Sequence, residues 1–126
     1  MPVKPPRPID WVGSSKKDFL AFPAEVQDAM GFALYHAQIE RWHSSMKPMK
    51  GFAGAGVVEL VERHDGDTYR AVYTVRFETA VYVLHAFQKK SKSGIKTPPQ
   101  DLQMIKSRLK LAEEHRRQHQ PPRGAA

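Results

Sequence analysis

The chain has 126 residues, 40% hydrophobic and 26% charged, which is enough ordinary globular material for one domain and too little for two. It contains no cysteine, so a disulfide scaffold, thiolate metal sites and a cysteine nucleophile are excluded. The net charge of +7 is unevenly placed: residues 1–85 hold ten basic and ten acidic side chains, whereas residues 86–126 hold ten basic against three acidic. A basic surface gathered at one end attracts polyanions, and nucleic acid is the first partner to consider.

Residues 1–7 are proline-rich and read as a flexible leader with no hydrophobic signal region; no 18-residue apolar run follows, so no membrane contact and a cytoplasmic address are expected. Ile9–Val12 suits a short first strand. Ser14 or Ser15 can cap a short helix with Asp18 in its first turn, which ends at Pro23. Pro23–His43 predicts a second helix. One stripe is Val26, Ala29, Met30, Ala33, Leu34 and Ala37; another is Phe32, Tyr35, Ile39 and Trp42. The first stripe covers a sheet, and the second needs the first helix, the C-terminal segment or a separate protein.

After a glycine-bearing connector, Val57–Arg63 predicts a strand, His64-Asp65-Gly66-Asp67 a hairpin turn, and Tyr69–Phe77 and Ala80–Gln88 two more strands. The last is apolar on both faces and should be a covered strand. Gln100–His115 predicts a helix with Leu102, Ile105, Leu109 and Ala112 on its apolar face and Lys106, Lys110 and Arg117 elsewhere. Residues 118–126 read as a disordered tail. The order predicts an α+β fold, a helical pair against a meander of antiparallel strands with a C-terminal helix, as a single domain over residues 8–117.

The strand Tyr69–Phe77 carries the first chemical signal. Alternation sets Tyr69, Ala71, Tyr73, Val75 and Phe77 on one face, with Arg70, Val72, Thr74 and Arg76 on the other. Glu59 and Arg63 share a face of the preceding strand, so a cross-strand Glu59–arginine pair on a solvated surface is expected. The second signal is the run from Gln88 to Lys96, with Lys89, Lys90, Lys92 and Lys96 separated by small polar residues. It is either an ordinary solvated loop or, at the exit of the central strand, a phosphate-binding one. His85, within the apolar strand, is either a satisfied core histidine or a general base. The six histidines form no metal motif, and no Walker A, GxGxxG or GxSxG pattern is present, so neither a metal nor a cofactor is expected. Gly51–Gly56 precedes a strand rather than a helix and reads as a turn.

Two stretches, VVELVERHDGDTYRAVYTVR and AVYVLHAFQKKSKSGIKTPPQDLQMIKSRL, closely resemble the phage-derived HigB-like toxins, a branch of the RelE/ParE superfamily of type II toxin–antitoxin systems. The resemblance covers Pro8–Glu114, and its most specific parts are the YR-x-x-Y strand and the L-H-x-F-x-K-K-S strand end. It implies two N-terminal helices against a curved antiparallel sheet. It also implies cleavage of messenger RNA in the ribosomal A site, checked by a helix-turn-helix antitoxin. On this resemblance Arg70 faces the scissile phosphate, and Lys89, Lys90 and Lys92 bind the backbone; Tyr73, the second tyrosine of the motif, packs.

A metal-free ribonuclease needs a proton acceptor for the 2′-hydroxyl, cations for developing charge and an acid for the 5′ oxygen. Arg70 with Lys89 or Lys90 supplies the cations. Glu59, His85 or a lysine is the acceptor, and Lys92, Lys96, Arg63 and Arg76 are the further RNA contacts. A toxin of this fold directed at gyrase, or a non-enzymatic basic module of phage origin, are the other readings. An antitoxin would mask Arg70 and the Lys89–Lys96 loop, or grip the Phe32/Tyr35/Ile39/Trp42 stripe.

Overall fold

A computed structural model describes residues 5–52, 54–89 and 97–119. The elements in order are β1 (Ile9–Trp11), α1 (Ser15–Leu20), α2 (Ala24–Gln38), β2 (Met46–Pro48), β3 (Val57–His64), β4 (Asp67–Thr74), β5 (Val81–Lys89) and α3 (Pro99–His119). The strands form one sheet in the order β1-β5-β4-β3-β2. Its pairs are antiparallel except at one edge, where β1 runs parallel to β5 with Ile9 opposite Val81.

The expected α+β architecture is present, with three local differences. The three residues of β2 form an edge strand inside the stretch read as a connector. The second helix stops at Gln38, five residues short of the predicted end. It closes through bonds from Glu40 N–H to the Ala37 carbonyl and from Arg41 N–H to the His36 carbonyl. That closure needs a left-handed residue, and Glu40 supplies it at φ 60°, where glycine is usual and another residue costs about 1–2 kcal/mol. With no glycine there, periodicity alone runs on to His43. Third, β4 ends at Thr74, so Phe77 leaves the alternation and packs on the other side of the sheet, beside Tyr82.

The β3–β4 hairpin follows its sequence closely. Asp65 and Gly66 both have positive φ, 49° and 83°, as a two-residue turn matched to strand twist requires. Register then runs from His64 opposite Asp67 to Val57 opposite Thr74.

The sheet has a core on each face. On one, α1 and α2 bury Phe19, Phe22, Val26, Met30, Ala33 and Leu34 against strand residues that include Leu60, Tyr69, Ala71, Tyr73 and Val83. On the other, Ile105 and Ala112 of α3 lie against Val57, Val72, Tyr82 and Leu84. Between Val72 and Tyr73 the β4–β5 register slips by one, leaving Leu84 as an extra residue on β5. This bulge lets Leu84 enter the core beneath α3 while its neighbour His85 also reaches that helix.

Arg7, read as part of a loose leader, is held. Its guanidinium donates to the carbonyls of Phe77 at 2.9 Å and Ala37 at 2.7 Å, and its backbone exchanges hydrogen bonds with Gln38. In the second stripe Ile39 is half-buried, but Phe32 is 60% exposed, Tyr35 46% and Trp42 60%. Among the described residues neither the first helix nor α3 covers these three.

Candidate active site on the α3 face of the sheet

Three rows of residues cross β3, β4 and β5 on the α3 face. The register aligns Glu59, Val72 and His85 in one row, Val61, Arg70 and Phe87 in the next, and Arg63, Thr68 and Lys89 in the third. β4 thus divides the YR pair between faces, with Tyr69 and Tyr73 in the core under α2 and Arg70 on the α3 side. Tyr73 has no exposed surface, burial pushes its hydroxyl pKa up, and among the described residues its oxygen has no hydrogen-bond partner. It packs and lies on the face away from Arg70.

Arg70 Nη1 lies 2.8 Å from Glu59 Oε2, the diagonal neighbour across β3. The expected cross-strand pair is real, but its surroundings are not a solvated surface: the arginine side chain is 6% exposed and the carboxylate 13%. Two charges so far from water are each held by the other, and either alone would be costly. Arg70 Nε is buried with no partner among the described residues, which leaves donor capacity unused.

His85 donates from Nε2 to Asp101 Oδ1 at 2.7 Å, since an ionised carboxylate only accepts. Its Nδ1 faces Arg108 Nη1 at 3.4 Å, and its ring stacks on Phe87 with centroids 4.8 Å apart. Arg108 is buried and also donates to the Leu84 carbonyl at 3.0 Å and to Ser14 Oγ at 2.9 Å. Gly13, at φ 58°, makes room for it: a Cβ there would stand 2.8 Å from Arg108 Nε.

Of the predicted residues, the sheet brings Arg70, Glu59 and His85 onto one patch, with Arg63 exposed at its hairpin end and the backbone of Lys89 in the same row. Arg76 does not belong there. It lies past the other end of β4, pairs with Glu113 at 3.1 Å and sits over the Phe77 ring. Its reach to Glu113 of α3 keeps it on the same side of the sheet as Arg70, but beyond the patch. Lys90, Lys92 and Lys96 lie outside the described residues, as does the side chain of Lys89.

Asp101 and Arg108 are the members that sequence reading missed. Their signal was available: Asp101, Ile105, Arg108 and Ala112 are spaced at i, i+4, i+7 and i+11, so two charges stand on a stripe otherwise apolar. A charge on such a stripe requires a buried partner.

A family model for the phage-derived protein Gp49-like (DUF891) matches residues 17–110. The chain belongs to the Gp49-like family. The match runs from within α1 to the middle of α3 and contains Glu59, Arg70, His85, Asp101 and Arg108, though not Gly13 or Ser14. No curated protein matches this Gp49-like chain in sequence. Among solved structures it is similar to a free, mutant form of the Escherichia coli toxin RelE, at 14% identity and a TM-score of 0.54, covering 85% of this chain and 97% of that one. It is also similar to the toxin–antitoxin complex RelBE2 of Mycobacterium tuberculosis, at 23% identity and a TM-score of 0.46, covering 67% and 99%. The RelE likeness establishes a shared fold. Among the described residues no group of three or more His, Asp or Glu side chains is placed to hold a metal ion, and no helix is long and apolar enough to cross a membrane.

Proposed function

We propose that this Gp49-like protein is the toxin of a type II toxin–antitoxin system, a metal-independent endoribonuclease that cuts messenger RNA on the ribosome and is neutralised by a helix-turn-helix antitoxin. Support comes from the HigB-like motifs, the Gp49-like family and the RelE fold together. The observation that carries the chemistry is the Arg70–Glu59 pair at 2.8 Å, on the sheet face whose hairpin end holds Arg63 and the start of the lysine run.

In this reading a phosphate replaces Glu59 as the ligand of Arg70. The RNA 2′-hydroxyl loses its proton to an acceptor, Glu59, His85 or a lysine, and its oxygen bonds to phosphorus. The bond to the 5′ oxygen breaks, and that oxygen leaves with a proton from an ammonium of Lys89 or Lys90. Arg70 neutralises the charge that develops on the phosphoryl oxygens. The products are a 2′,3′-cyclic phosphate and a 5′-hydroxyl end.

One observation favours a second reading, a non-enzymatic module of phage origin: Arg70 is only 5% exposed and already paired. Induced expression of wild-type and Arg70→Ala chains in a bacterium, with growth and mRNA 5′ ends followed, tests the choice. New cuts inside translated frames, absent from the variant, support the nuclease. Arrest without cuts moves the assignment to another target such as gyrase, and normal growth with a folded wild type moves it to the module.

A further inference from the structure

A group that carries a proton in a reaction needs an atom open to the reacting centre. His85 has neither ring nitrogen open. Nε2 is engaged with Asp101 at 2.7 Å, Nδ1 faces the Arg108 guanidinium, which can only donate, and Phe87 covers one ring face. Val72 on β4 is its cross-strand neighbour, and Glu59 lies one strand further, about 10 Å away by strand spacing.

The groups that hold His85 form one linkage through the fold. Asp101 is in the first turn of α3 and Arg108 two turns later, so the helix is gripped at two points. Arg108 continues to the Leu84 carbonyl at the bulge and to Ser14 Oγ, which itself donates to Asp18 on α1 at 2.7 Å. The bulge is what permits this. Without the extra residue, Leu84 and His85 would point to opposite faces.

We infer that His85 is a positioning residue that locks α3 onto the sheet through Asp101 and Arg108, and that it carries no proton in RNA cleavage. The second half rests on the nuclease reading, and the lock does not. Of the proton acceptors considered, Glu59 and the lysines remain, and α3 becomes a wall of the site rather than a cover added to it.

Two measurements test this separately. The first is the ¹⁵N spectrum of the His85 ring in wild type and Asp101→Ala. A single Nε2–H tautomer in wild type, with its Nε2 signal shifted in the variant, is expected; a ring whose signals are the same with and without Asp101 would overturn the lock. The second compares cleavage on translating ribosomes by wild type, His85→Gln and His85→Ala. Glutamine can present an N–H near the place of Nε2 but cannot shuttle a proton. Its activity should stay within about tenfold of wild type, the scale of one hydrogen bond, and above that of alanine. A loss of about 100-fold or more in His85→Gln, equal to that in His85→Ala and with a circular dichroism spectrum that shows both variants folded, would identify a proton carrier instead. If wild type cuts nothing while the Nε2–H tautomer persists, the lock is supported and the nuclease reading fails.

Discussion

The two faces of the sheet are built by different means. Under α1 and α2 the contacts are apolar, among them Met30, Leu34, Leu60 and Tyr73, and a non-directional force holds them. Under α3 the apolar core stops at Leu84 and Ile105, and beyond it the contacts are directional: Glu59 with Arg70, His85 with Asp101, Arg108 with Leu84 and Ser14. An apolar face tolerates substitution in proportion to volume. A polar face fails when one partner is removed and recovers when the other goes too.

That contrast is open to direct attack. The largest effect is expected from Glu59→Ala, which strands a buried guanidinium and should cost about 3–5 kcal/mol; adding Arg70→Ala should return much of it, measured by denaturant unfolding. Leu34→Ala on the other face should cost about 2–5 kcal/mol through the cavity it leaves, with no second substitution that restores it. If Glu59→Ala and Arg70→Ala prove additive, the polar face is not held by the pair. Gly13→Ala should cost about 1–2 kcal/mol, because it needs a left-handed alanine where Arg108 also leaves no room.

The smallest effect sharpens the comparison at a polar group of the apolar face. Tyr73→Phe removes a buried hydroxyl without a partner and should stabilise the fold by about 1 kcal/mol. The same hydroxyl makes the apolar face sensitive to alkali. Burial raises its folded pKa above the ordinary value of 10.0, so the folded state keeps its proton longer than the unfolded chain does. Below that value the group adds no pH dependence, and above it stability falls as pH rises. Unfolding midpoints should therefore drop more steeply above about pH 10 in wild type than in Tyr73→Phe.

The apolar face was the legible one. The stripe from Val26 to Ala37, the Asp-Gly hairpin and the alternation of β4 up to Thr74 were all readable, because each obeys a fixed period or a fixed turn chemistry. The misses have particular causes. Met46–Pro48 is three residues long with Lys47 and Pro48 exposed, too short and polar to show a period. Glu40 ends α2 in a conformation its type does not advertise. Arg76 stands past the end of β4, held by Glu113 thirty-seven residues further on. On the α3 face, Arg70, Glu59 and His85 were each found, but their relations were not. Asp101 lies sixteen residues from His85 and Ser14 lies ninety-four from Arg108, separations that no local pattern spans.

The parallel pairing of β1 with β5 has a consequence for how the protein comes into being. The first strand of the sheet along the chain has its neighbour in the last, and Arg7 is held by carbonyls at Val75 and Phe77. Contacts so distant along the chain form slowly and late. During translation β1 stays unpaired until β5 has emerged, and the contacts of His85 with Asp101 and Arg108 wait for α3. A chain cut before α3 thus lacks that lock, although the local β3–β4 hairpin still pairs Arg70 with Glu59.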